Sequence, residues 1–285
     1  MADWKEKLKD LEETQELTVL GGDGETLFSV PAAELLAYLD EKDSPEKLCR
    51  DILQGSVNAD SLPMRLEALN MTDETRLLPY LLRLKNSGRE GTEALLGQLY
   101  AGDLLLRESE TTLLLIHKPG KREDPAATAA RILSMVNTEL MEKVRIAYGK
   151  PAEGWSGLRA SYLQAQTAMQ VMESFHSECL VMSYASLGLG GLMLGLDREV
   201  CARYLRECFG ESMRSRLDEE ELRTVNCFFE HDLSFSETAR DLFLHRNTLV
   251  YRLEKIQKKT GMDIRHFEDA VRLRMALLAE VYLDA

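Results

Sequence analysis

Apolar positions along the chain follow two periods. From about residue 76, short strand-like runs alternate with helical stretches. Leu77–Leu84 predicts a strand, with Pro79 making its first residues poor ladder members. Glu90–Leu99 predicts a helix. Asp103–Glu108 and Thr111–His117 predict a hairpin whose second arm is apolar enough to be central. A long amphipathic helix over Asp124–Met141, a strand over Lys143–Tyr148, a helix over Gly154–Phe175 and a strand over Cys179–Ser183 complete the region. The order βαββαβαβ suits a ferredoxin-like α/β domain with helices packed on a sheet. Beyond Leu187 the period is helical. The Gly-rich run Leu187–Leu196 is followed by helices over Asp197–Phe209, Glu219–Glu230 and His266–Leu283, with two short helices between the last two. The fold class expected is therefore α/β plus all-α.

The first 60 residues read differently. Asp3–Thr14 predicts a charged helix, and Pro31–Leu39 and Ser44–Leu53 predict two more. Between them, Leu17–Leu20 and Thr26–Val30 flank Gly21-Gly-Asp-Gly-Glu25. That glycine run lacks the Lys-Ser/Thr ending of a P-loop and the strand-to-helix setting of a dinucleotide fingerprint. It reads as the turn of a β-hairpin, where Gly and Asp supply positive φ. Polar Gln54–Leu62 marks a boundary. The expected organisation is 1–60 as an N-terminal segment without assigned role, 61–186 as the α/β domain, 187–217 as a helical linker, and 218–285 as a terminal helical domain.

The two short helices carry the chemistry. Ser234 with Glu237 three residues later has capping-box spacing. Ala239 is small enough for close packing, Leu242 ends the first helix, and Phe243 and Leu244 make a turn. His245 can cap the second helix. Leu249, Leu253 and Ile256 form one apolar stripe on it, leaving Arg246, Asn247, Val250 and Tyr251 facing outward. A helix-turn-helix laid out this way can enter a DNA major groove. There, Arg pairs bidentately with guanine and Asn with adenine.

Charge sharpens that expectation. The formal net charge is −13. Between Arg240 and Lys259, however, Arg240, Arg246, Arg252, Lys255, Lys258 and Lys259 stand against Asp241 and Glu254, giving +4 and leaving −17 elsewhere. A basic island in an acidic chain indicates where a polyanion sits. The five cysteines form no CxxC pair and the five histidines show no HxxxH or HExxH spacing. Neither a metal site nor a cofactor is expected from these spacings. An apolar content of 45% with no run of about 20 apolar residues predicts a cytoplasmic protein that does not engage membranes.

The run Leu244-His-Arg-Asn-Thr-Leu-Val-Tyr-Arg-Leu253, followed by Thr260-Gly-Met-Asp263, closely resembles the C-terminal DNA-binding domain of the PucR/CdaR family of bacterial transcriptional regulators. It is more distantly similar to the Fis-type helix-turn-helix. Val144–Lys150 and Gly157–Ala168 resemble the GGDEF-like domain that precedes it in CdaR-type regulators. In active cyclases of that fold, glycines at the β2–β3 hairpin admit the nucleotide and an acid binds metal. This chain has Arg107–Leu113 there, with no glycine. The resemblance therefore implies a degenerate, non-catalytic GGDEF-like scaffold, in which Glu108 and Glu110 are ordinary turn carboxylates. It also implies a homodimer on double-stranded operator DNA, responsive to a small-molecule effector of unassigned identity. Residues 1–60 carry nothing that matches the diacid-recognition domain of CdaR-type proteins. The DNA-contacting residues implied are Ser236, Thr238, His245, Arg246, Asn247, Thr248, Tyr251, Arg252 and Lys255. The competing expectations are a nucleotide-using enzyme, and a signalling adaptor or nucleotide-binding sensor whose helical end binds protein.

Overall fold

The computed structural model describes residues 16–20, 26–31, 44–57, 61–69, 71–85, 89–176, 178–210 and 212–284. The helix expected over Asp3–Thr14, the turn at Gly21–Glu25 and all of the helix expected over Pro31–Leu39 except Pro31, which ends a strand, lie outside them. The chain divides into two compact units, residues 1–166 and 167–285.

In the first unit, β1 (Glu16–Leu20) and β2 (Thr26–Pro31) pair antiparallel, as the flanking pattern predicts. Helices α1 (Pro45–Gln54) and α2 (Leu62–Ala68) follow, the first capped by the Ser44 hydroxyl, which accepts from Lys47 N at 3.1 Å. The remaining elements are β3 (Arg76–Leu84), α3 (Arg89–Leu99), β4 (Leu104–Arg107), β5 (Thr112–His117), α4 (Pro125–Leu140), β6 (Val144–Tyr148), the two-residue β7 (Ala152–Glu153) and the first half of α5 (Leu158–Phe175), a helix that runs past the division at residue 166. The antiparallel order is β4-β5-β3-β6, with β7 alongside the start of β3.

Every residue of β5 is buried, as are seven of the nine in β3. Both faces are covered, so these strands read as continuous apolar runs rather than alternating ones. Pro79 lies in β3 opposite Ile116 of β5. On its other edge, β3 has no registered partner between Leu77, opposite Ala152, and Tyr80, opposite Tyr148. A residue without an N–H is tolerated where one side of the ladder is interrupted.

Helix α5 begins at Leu158, four residues later than periodicity predicts. Gly154 adopts φ +81°, and a Cβ there would lie 2.3 Å from the Asp73 carbonyl oxygen. Asp73 Oδ1 accepts from Trp155 N at 2.6 Å, holding the segment as a turn over the buried Trp155.

At the far end of β5, buried His117 sits between two carboxylates. Its Nδ1 is 2.5 Å from Asp103 Oδ2 and its Nε2 is 3.1 Å from Glu123 Oε1. Glu123 also accepts from Thr128 Oγ1 at 2.6 Å and pairs with Arg131 at 3.3 Å. Burial alone would lower the His117 pKa, but the bonds and charges of Asp103 and then Glu123 outweigh it and raise it above 6.5. The Thr128 hydroxyl, opposed by burial and helped by Gly120 N and His117, holds Glu123 down to about 2.

In the second unit, β8 (Val181–Ser183) precedes an all-helical array: α6 (Gly188–Leu194), α7 (Arg198–Phe209), α8 (Met213–Arg216), α9 (Glu219–Glu230), α10 (Phe235–Asp241), α11 (Arg246–Thr260) and α12 (Phe267–Asp284). Val225, Phe228, Leu249, Leu253, Ile256 and Leu273 form its core, each at most 2% exposed. Helix α9 starts with a complete capping box between Asp218 and Glu221. At α10, Ser234 Oγ accepts from Glu237 N at 3.4 Å, while the Glu237 carboxylate pairs with Arg240.

Both turns around α10 use left-handed backbone without glycine. After α9, Asp232 and Leu233 have φ of 50° and 61°. After α10, Phe243 has φ 54°, with Phe243 N donating to Arg240 O at 3.2 Å and Leu244 N to Ala239 O at 2.8 Å. This is the Schellman arrangement, with phenylalanine in the place that favours glycine. The Phe243 side chain is 93% exposed.

Two outcomes are expected. Stability contributed by His117 is complete below about pH 6.5 and is lost as pH rises through its raised folded value. Urea unfolding at pH 6 and pH 9 should therefore show lower stability at pH 9, and His117→Gln should flatten that slope. Phe243→Gly should raise stability by up to about 1 kcal/mol, because removing left-handed strain outweighs added chain entropy where no packing is lost. A thermal melt checks it.

Candidate nucleic-acid interface

Helix α11 is held by its apolar stripe. Leu249, Leu253 and Ile256 are 0–2% exposed, facing Val225 and Phe228 of α9 and Ala239 of α10 in one core. Close approach of α10 depends on Ala239, which is 7% exposed. The His245 ring caps α11, its Nδ1 accepting from Asn247 N at 3.3 Å. That bond uses Nδ1 as the acceptor, and the residue is exposed.

With the stripe buried, the first turn is presented. His245, Arg246, Asn247, Thr248 and Tyr251 are exposed, Tyr251 by 67%. The Arg246 guanidinium carbon lies 5.8 Å from the centre of the Phe235 ring, at the start of α10. Ser236, also in the first turn of α10, is exposed as well. The face thus gathers a guanidinium, a carboxamide, two hydroxyls, an imidazole edge and a phenol. These groups can donate to and accept from base edges and phosphates.

Thr238 does not belong to this face. It is 0% exposed, and its hydroxyl donates to Ser234 O at 2.8 Å. The expectation that it contacts DNA is corrected: the side chain locks the first turn of α10 from inside.

The basic island is also less free than its residue count implies. Arg252 pairs with Glu220 at 2.6 Å. Lys255 lies 2.9 Å from Glu221 Oε1, and Lys259 lies 2.6 Å from Glu221 Oε2, each with Asp218 at 3.6 Å. Glu221 is 3% exposed. Burial raises its pKa, but Lys259, the bond to Asp218 and Lys255 together hold it below the usual carboxylate range. The Glu221 bond and charge in turn raise the Lys255 pKa. Three of the six basic side chains are therefore matched by the acidic start of α9, and Arg240 by Glu237. The sequence expectation placed Arg252 and Lys255 among the DNA contacts and missed the carboxylates Asp218, Glu220 and Glu221 that pair with them. The Asp-x-x-Glu capping box is the signal that marks Glu221.

In the first unit, the hairpin between β4 and β5 is likewise internally engaged. Tyr162 Oη donates to Glu108 Oε2 at 2.7 Å, and Glu110 pairs with Arg89 at 2.9 Å.

Among the described residues, no helix is long and apolar enough to cross a membrane. Residues 54–171 match the GGDEF-like domain, and residues 222–279 match the PucR C-terminal helix-turn-helix domain. The chain is similar to the uncharacterized protein YsfB of Bacillus subtilis (strain 168), at 29% identity over 181 residues, 62% of this chain and 47% of that protein. It is similar to the carbohydrate diacid regulator of Escherichia coli (strain K12), at 29% identity over 157 residues, 54% of this chain and 40% of that one. It is also similar to the purine catabolism regulatory protein of Bacillus subtilis (strain 168), at 29% identity over 119 residues, 41% of this chain and 22% of that one. The matched part spans less than half the length of each of these relatives. A GGDEF-like domain followed by a PucR C-terminal helix-turn-helix domain makes this a chain of the PucR/CdaR type.

Proposed function

We propose that the chain is a transcriptional regulator that reads double-stranded operator DNA through the first turn of α11. The observation that carries this reading is the exposed set Arg246, Asn247, Thr248 and Tyr251 on a helix whose opposite stripe is fully buried. Arg246 and Asn247 read bases, with Thr248 and Tyr251 beside them. Ser236 and His245 touch the backbone, and Arg252 and Lys255 approach phosphates by exchanging their carboxylate partners. One such helix reads only a few base pairs, so the active form is a homodimer. Its recognition helices occupy successive major grooves about 34 Å apart on a two-fold related site. The GGDEF-like domain serves as a scaffold without catalysis; the engagement of Glu108 and Glu110 and the lack of glycine in Arg107–Leu113 support this. A small-molecule effector controls the protein, which works in the cytoplasm. The uses named for the carbohydrate diacid and purine catabolism relatives support a regulatory role of this kind.

Binding of the full chain to the DNA upstream of its own gene tests the reading. Sequence-specific, salt-sensitive retention is expected; binding that ignores both sequence and salt overturns it. Arg246→Ala should weaken specific binding by about 1–3 kcal/mol, roughly 5- to 150-fold, and relax discrimination at one position. Glu220→Gln should release Arg252. Non-specific affinity should rise, and the log–log salt dependence should steepen by ~0.9, the contribution of one added phosphate contact. Titration of both variants against specific and scrambled duplexes, at several salt concentrations, measures each effect.

A further inference from the structure

Three side chains converge where α9 meets α10. Cys227 and His231 are four residues apart and share a face at the end of α9, where His231 is the C-cap. Asp241 is the last residue of α10. Asp241 Oδ2 lies 3.3 Å from Cys227 Sγ and 3.1 Å from His231 Nε2, and the three ligand-type atoms all lie within 4.8 Å of one another. The thiol is buried, the imidazole half-buried and the carboxylate exposed. The group is thus fixed on its inner side and open to solvent on its outer side.

We propose that Cys227, His231 and Asp241 form a three-ligand site for a divalent transition-metal ion of the zinc class. Thiolate, imidazole and carboxylate are the donor types that zinc takes, and a site with three protein ligands keeps a fourth position for water. Metal–ligand bonds of about 2.0–2.3 Å at tetrahedral angles put neighbouring donor atoms roughly 3.3–3.6 Å apart. Two of the three separations lie close to that range, and Cys227 Sγ and His231 Nε2 lie within 4.8 Å of each other, so the ion is admitted when that pair closes by at most about 1.3 Å. Without metal, the same atoms satisfy one another. The thiol, pushed up to about 12 by burial and then by Asp241, stays protonated. Asp241 is held below the usual carboxylate range by His231 first and Cys227 next. On ligation, the Cys227 proton leaves to solvent and sulfur bonds to the metal, so affinity rises with pH. Arg223 and Glu230 are the other charges acting on the group, one of each sign.

The position gives the site a consequence. Asp241 precedes Leu242 and Phe243, the turn that leads into α11. A bound ion replaces two hydrogen bonds with coordinate bonds joining the end of α9 to the end of α10. It thereby stiffens the frame that presents the α11 first turn.

Cobalt titration of the full-length protein tests the site, after stripping with a chelator and reduction with a non-chelating phosphine. We expect thiolate-to-cobalt charge-transfer absorption saturating at one ion per chain and displaced by zinc. Cys227→Ser should abolish that band. His231→Ala and Asp241→Asn should each weaken binding about tenfold or more, while Cys208→Ser, at an exposed thiol, should leave it unchanged. No charge-transfer band at one equivalent overturns the proposal, as does a band that survives Cys227→Ser. Asp241→Asn alters an exposed side chain, so it keeps the test decisive if Cys227→Ser does not fold; undiminished affinity in that variant also overturns the site.

Discussion

Glu221 is a carboxylate that the fold has removed from water, and much of the helix-turn-helix is arranged around keeping it charged. A buried carboxylate is costly unless hydrogen bonds and opposite charge compensate it. Here Oε2 takes the hydrogen bonds, while Oε1 has only the Lys255 charge beside it. Glu221 closes the α9 capping box through Asp218 N at 2.9 Å and takes Lys259 and Lys255 at 2.6 and 2.9 Å. One side chain thereby fixes the start of α9 and the last two turns of α11. The apolar stripe sets how deeply α11 sits; the Glu221 pairs set its position along and around its own axis.

That arrangement changes the electrostatics of the basic island. A formal +4 over Arg240–Lys259 suggests an open cationic strip. In the folded unit, the strip is divided. Its C-terminal half is largely balanced by Asp218, Glu220 and Glu221, and its N-terminal end keeps Arg246 beside the Phe235 ring. Field and hydrogen-bonding capacity are thus concentrated at the first turn of α11, the turn proposed to read base edges. On the proposed reading, a phosphate would meet side chains that must exchange one anion for another. Such an exchange returns less free energy than filling an empty site, because a carboxylate must be resolvated. The balance favours selectivity over general affinity for polyanions.

The legible parts of this chain are those set by local patterns. Helix α9 runs over Glu219–Glu230 as periodicity predicts. The stripe Leu249, Leu253, Ile256 is buried, and His245 caps α11 as its position suggests. What eluded the sequence depends on distant partners. The late start of α5 is imposed by Asp73, 82 residues upstream of Trp155. Pairing of Arg252 and Lys259 comes from carboxylates 32 and 38 residues earlier. Thr238 carries a hydroxyl suited to DNA, but helical phase turns it inward. The Cys227–Asp241 contact joins residues 14 apart on different helices, with no recurring motif to announce it.

Helix α10 is the element on which these constraints meet. At seven residues it is far too short to persist alone, since helix nucleation is unfavourable and few bonds follow it. Its ends are held by turns with Asp232, Leu233 and Phe243 in left-handed backbone, each costing of order 1 kcal/mol or more. Strain of that kind persists only where surrounding contacts over-determine the conformation. Ala239 and Thr238 supply those contacts from the core, and His231 and Cys227 supply them from α9 through Asp241. The first turn of α11 follows directly, so its direction is inherited from the end of α10. Any interaction that tightens or loosens Asp241 therefore acts on the first turn of α11, the proposed reading face, through four intervening residues.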